Sequence, residues 1–147
     1  MTGNDKSRRI VVGVDGSDNA AEAADWAAQE AEDRGMELHL VYALNLPALF
    51  ALHSAIPTED VKTRTHAQGQ DVVDSARESL LEAHPKLEIT SAVSELGAAE
   101  TLVELSKTAA MVAVGSRGHG GFAGLLLGST GLTVATHAQC PVVIVRD

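Results

Sequence analysis

Along this chain, short β-branched runs alternate with longer segments whose apolar positions recur at helical spacing. Residues 10–14 (Ile-Val-Val-Gly-Val) form a nearly unbroken apolar run, as expected of a strand buried on both faces of a parallel sheet. Asp15-Gly16-Ser17 follows as a turn-and-cap cluster. Ala20, Ala23, Ala24, Ala27 and Ala31 then predict a helix to Arg34, with Gly35 where a C-cap belongs. Two N-caps compete for this helix: Ser17, and Asn19 with Glu22 three residues on as a capping box. Residues 37–43 predict a second strand. Residues 46–52 are apolar without a clear period and lie among prolines, leaving a short helix and a flap as alternatives. Residues 60–83, with Val61, Val72, Val73, Ala76 and Leu80, predict a second long helix ended by Pro85.

Residues 87–93 alternate as a third strand, and Gly97 turns into a helix carrying Leu102, Val103 and Leu105. Residues 111–114 predict a fourth strand, 129 to about 137 a short helix, and 141–145 a fifth strand. Strands alternating with helices imply right-handed crossovers, hence an α/β fold. We expect a single open parallel five-stranded sheet with helices on both faces, Rossmann-like, in the order 3-2-1-4-5. There is no internal repeat and no linker. Residues 1–8 read as a flexible N-terminus and 9–147 as one α/β domain.

Composition narrows the function. The 147 residues suit one core, and with aromatics at 3% that core is built from Val, Leu, Ile and Ala. A formal net charge of −9 repels a nucleic-acid backbone, so no nucleic-acid partner is expected. No apolar run reaches membrane-spanning length and the N-terminus is polar, so we expect no membrane association and a cytoplasmic location. The single cysteine, Cys140, reads as a buried inert thiol.

The chemistry-bearing stretch is residues 115–129, Gly-Ser-Arg-Gly-His-Gly-Gly-Phe-Ala-Gly-Leu-Leu-Leu-Gly-Ser. It joins an apolar strand to a helix opened by Ser129 and Thr130. Glycines let backbone approach a ligand closely, amides at a helix start point at an anion, and a hydroxyl adds a donor. Arg117 is the only Lys or Arg between Lys107 and Arg146. In the expected strand order, the sheet reverses between the first and fourth strands. Asp15 and Gly115 therefore flank the crevice where such sheets bind ligands. A carboxylate there suits ribose hydroxyls; the plainer alternative is a helix-cap aspartate.

Gly115-x-x-Gly118, nine residues, then Gly128-Ser129 resembles the ATP-binding signature of the universal stress protein family. The opening Ile10-Val11-Val12-Gly13-Val14-Asp15-Gly16-Ser17 and the closing Cys140-Pro141-Val142-Val143-Ile144-Val145 resemble that family's first and last strands. The resemblance covers roughly residues 9 to 146. It implies a stress-response nucleotide binder in which Gly13 and Asp15 belong to the site, Asp15 meeting the ribose. Val41 would offer backbone contacts to adenine, and Gly115, Arg117, Gly118, Gly128, Ser129 and Thr130 would surround the phosphates. It also implies a homodimer, often made by pairing the last strand. An unprotected Val-Val-Ile-Val edge independently invites such pairing.

Other site chemistries are missing from the sequence. It has no Walker-type loop and no Gly-x-Gly-x-x-Gly after the first strand. No carboxylate lies between Glu104 and Asp147, so a Ser-acid-His order starting at Ser116 cannot be completed. No histidines show ligand-like pairing. With few cations available, ATP, AMP or cyclic AMP would be held mainly by backbone donors. A divalent cation such as Mg is expected to sit on the phosphates. The lack of a placed general base favours a sensor over an enzyme. The alternatives are a slow ATP hydrolase using Asp15, and a partner-binding module whose glycine loop is structural.

Overall fold

The computed structural model of the chain describes residues 8–53, 59–116 and 128–146. These form one parallel sheet of five strands in the order β3-β2-β1-β4-β5, as expected. In chain order the elements are β1 (Arg9–Gly13), α1 (Asp18–Arg34), β2 (Glu37–Ala43), α2 (Leu46–His53) and α3 (Glu59–Ala83). Then come β3 (Ile89–Ser94), α4 (Ala98–Ser106), β4 (Met111–Gly115), α5 (Ser129–His137) and β5 (Val142–Val145).

Alternate residues of each strand point to opposite faces, and each face has its own core. Ile10, Val12, Leu38, Leu40, Ile89, Met111 and Ala113 pack under α1 and α3. Val11, Val41, Val112 and Val114 pack with Leu102 and Val134 under α4 and α5. Full burial on both sides is why β1 and β4 read as unbroken apolar runs. Each fully buried Val or Leu contributes about 1.5–3 kcal/mol.

α1 buries Ala20, Ala23, Ala24, Ala27, Ala28 and Ala31, whose small side chains bring its axis close to β1 and β4. Ser17 wins the competition for its N-cap: its Oγ accepts the Ala20 amide at 3.2 Å, and Gly35 ends the helix at φ 66°. Asn19 is thereby released from capping. The 46–52 ambiguity resolves as a helix, α2. The third strand starts at Ile89 rather than 87, because the Leu87 amide turns back to the His84 carbonyl at 3.1 Å behind Pro85. α5 starts at Ser129, but its N-cap is Gly128, so neither hydroxyl opens the helix as a cap.

Candidate functional site

The sheet order reverses between β1 and β4, which pair directly (Val12 beside Ala113), so their C-terminal ends open into one crevice. At the exit of β1 the chain makes a tight, internally bonded turn. Asp15 Oδ1 accepts the Ser17 amide at 2.9 Å, and Gly16 takes φ +86°, an angle few side chains tolerate. The Asp15 carboxylate is half-buried, and its Oδ2 accepts no hydrogen bond from a described residue. The Ser17 bond sets the direction of the carboxylate.

At the exit of β4, Ser116 is 4% exposed and donates its amide to the Val145 carbonyl at 2.9 Å. The Gly128 amide then donates to the Ser116 carbonyl at 2.7 Å, which fixes the spacing between β4 and α5. Arg117 and Gly118 lie outside the described residues, as does His119. Gly128 has φ −72° and carries no side chain to accept a first-turn amide. Among the described residues the first bond into this helix goes from the Leu132 amide to the Gly128 carbonyl, and the amides of Ser129, Thr130 and Gly131 have no acceptor there. This first turn, at the positive end of the helix dipole, is the anion-seeking side of the crevice.

The remaining expected residues sit deeper. Val41 is 4% exposed, with its side chain in the α4-side core and its carbonyl already holding the Val14 amide at 2.9 Å. Any adenine contact to that carbonyl uses its second lone pair. A Cβ on Gly13 would rest 3.4 Å from Leu102 Cδ1, so Leu102 fills the space beside that glycine. Gly115 and Gly13 thus end adjacent halves of the sheet with helix residues packed against each.

Three positions at the crevice carry more than the sequence revealed. Asn45 adopts φ 55°, and the amides of Leu44, Asn45 and Leu46 bond to the carbonyls of Ser94, Leu96 and Glu95 at 2.7, 3.1 and 2.9 Å. This stitches the loop after β2 to the loop after β3. The only sequence signal is that asparagine tolerates left-handed angles. Asn19 packs against Gly115, and Ser116 anchors the end of β4; neither role has a local signature.

The described residues include no group of three or more His, Cys, Asp or Glu side chains able to hold a metal ion. His39 lies two residues before Val41 in β2, 8% exposed, with Nδ1 2.8 Å from Thr90 Oγ1. Burial, and then the Arg9 charge, push its pKa down to about 4, so it is neutral at pH 7. Glu37, at the far end of β2, is shifted upward by burial and by its hydrogen bond and charge repulsion with Glu88; Arg9 opposes this. No helix among the described residues is long and apolar enough to cross a membrane.

A profile of the universal stress protein family matches residues 6–146. The chain belongs to the universal stress protein family. Among its relatives, a universal stress protein of Mycobacterium tuberculosis is 34% identical over 151 residues, covering 100% of this chain and 50% of the relative. Another from the same organism is 33% identical over 145 residues, covering 99% of this chain and 50% of the relative. This family member therefore spans about half the length of the curated relatives it matches. A universal stress protein crystallised in complex with cAMP is 26% identical, with a TM-score of 0.66, over 93% of this chain and 94% of that one. A universal stress protein from Archaeoglobus fulgidus, in complex with dAMP, shares the fold at 20% identity and a TM-score of 0.68. That match covers 92% of this chain and 95% of the other.

Proposed function

We propose that this universal stress protein binds an adenine nucleotide, ATP in the first place, as a stress-response sensor without substantial turnover. The observation that carries this reading is the pairing, across one crevice, of a fixed Asp15 carboxylate with the uncapped first turn of α5. Asp15 Oδ2 would accept ribose hydroxyls. The amides of Ser129, Thr130 and Gly131, with the Thr130 and Ser129 hydroxyls, would meet phosphate oxygens. Gly115, Arg117, Gly118 and Gly128 would complete that phosphate end, and the Val41 backbone would contact adenine above the packed Gly13. The relative in complex with cAMP supports the adenine class. The choice of ATP rests on the Gly115-x-x-Gly118 and Gly128-Ser129 spacing.

The donor set suits a nucleotide and does not suit a protein-held metal. With no cluster of three ligating side chains among the described residues, Mg would be carried in on the phosphates and would neutralise part of their charge. Occupancy would be passed on through a homodimer built on β5, which pairs with β4 alone among the described strands. Cytoplasmic residence and the absence of a nucleic-acid partner belong to the same reading, the latter supported by the net charge of −9.

Mass spectrometry of small molecules released on denaturing the freshly purified chain, followed by titration with ATP, tests the proposal. Recovered ATP, or saturable ATP binding, supports it. A protein that carries no nucleotide and binds none of ATP, AMP and cyclic AMP overturns it.

A further inference from the structure

Where a side chain on Gly115 would stand, the structure has Asn19. An ideal Cβ on Gly115 falls against the Asn19 carboxamide, 2.8 Å from its Cγ and 3.0 Å from the Asn19 backbone oxygen. Contacts that close do not survive in a packed protein, so something would have to shift. Backbone angle is not the reason for this glycine, since the positive-φ glycines of the described residues are Gly16 and Gly35. Gly115 is required by what packs on it.

Asn19 is poorly placed to move aside. It belongs to the first turn of α1, between the cap Ser17 and the buried Ala20 and Ala23, which are 8% and 0% exposed. The same turn holds Asp15, through the Ser17 amide on Asp15 Oδ1 at 2.9 Å and the Ala20 amide on Ser17 Oγ at 3.2 Å. Five residues thus join the carboxylate at the β1 exit to the side chain that bears on the β4 exit. A bulkier group at 115 must displace either this turn, and Asp15 with it, or the path of the chain as it leaves β4.

We infer that Asn19 is a positioning residue for the nucleotide site. Its packing on Gly115 sets the direction in which the chain leaves β4 and couples that direction to the turn carrying Asp15. The inference rests on the nucleotide-binding reading above, and it concerns the phosphate end of the ligand. Adenosine lacks the groups held there, so the ratio of ATP to adenosine affinity reports Asn19 separately from general folding.

The test is calorimetric titration of the full chain with ATP and with adenosine, for wild type, Gly115→Ala, Asn19→Ala and the double variant. Gly115→Ala is expected to lower ATP affinity at least tenfold, about 1.4 kcal/mol, and adenosine affinity much less. Adding Asn19→Ala is expected to recover most of that loss, because the carboxamide that collided is gone. Should Gly115→Ala fail to fold, Asn19→Gln pushes the amide one methylene further and is expected to lower the ATP-to-adenosine ratio on its own. Losses equal for the two ligands, or effects that simply add to within about twofold, overturn the inference while leaving nucleotide binding in place. A wild-type chain that binds neither ligand overturns the nucleotide reading itself, and the inference with it.

Discussion

The Gly128 amide donates to the Ser116 carbonyl at 2.7 Å, joining the two sides of the 117–127 connection at its base. One hydrogen bond therefore joins the first residue after β4 to the cap of α5. Gly128→Pro removes that donor at a φ of −72°, which proline accepts. ATP affinity is expected to fall about five- to tenfold, the worth of a lost hydrogen bond. Gly128→Ala, which keeps the amide, is expected to lose less. Titration calorimetry on both variants separates the amide from the mere absence of a side chain.

Asp15 serves two partners, the Ser17 amide inside the protein and, in our proposal, the ribose outside. Asp15→Asn retains an oxygen for Ser17 but loses the charge. Its melting temperature is expected to stay within about 2 °C of wild type. Its ATP affinity is expected to fall roughly tenfold, since bonds to a charged acceptor are the stronger kind. A large drop in melting temperature would place the role of Asp15 in the turn alone.

Gly69 lies inside α3, where an alanine would ordinarily add about 1 kcal/mol of helix stability. Here a Cβ would stand 2.7 Å from Tyr42 Cδ1 and 3.2 Å from Val93 Cγ1. Overpacking of this kind costs about 1–3 kcal/mol, so Gly69→Ala is expected to destabilise the chain in urea unfolding. The sign of the change decides between propensity and packing.

His39 supplies an acid sensitivity. Its folded pKa is lowered to about 4 from an ordinary 6.5, so below pH 6.5 the unfolded chain takes up a proton that the folded chain refuses. Stability is fully present above about pH 6.5 and is lost as pH falls towards 4, by at most about 3 kcal/mol. Glu37 acts in the opposite sense: its raised pKa makes the folded state hold its proton better, so it gains stability as pH falls through that pKa. Urea midpoints of wild type and His39→Gln at pH 7 and pH 4.5 isolate the histidine, because Glu37 is common to both. The variant is expected to lose less stability between those pH values.

Along β5 the Pro141 carbonyl accepts from Val112 and the Val145 carbonyl from Ser116, so the backbone groups of Val142 and Ile144 turn to the open edge. Ile144→Pro removes an outward donor without removing a bond to β4. If the homodimer forms on this edge, the variant is expected to run as a monomer in size-exclusion chromatography with light scattering. A dimer that persists moves the interface elsewhere.

The sequence by itself determined the order of elements and the parallel sheet, because each depends on local periodicity. β1 and β4 are unbroken apolar runs since both faces are covered, and the alanine stripe of α1 can serve only a close-packed helix. The expected order 3-2-1-4-5 is the observed one, so Asp15 and Gly115 stand at the ends of the two strands, β1 and β4, between which the order reverses. Tertiary structure alone decided why particular glycines are glycines. Gly115 answers to Asn19 and Gly69 to Tyr42, each partner far away in sequence. It likewise decided that Ser17 caps α1 while Asn19 bears on β4, and that Ser116 and Gly128 meet. Periodicity is a property of neighbours along the chain. Close approach is a property of neighbours in space, and only the folded sheet brings these pairs together.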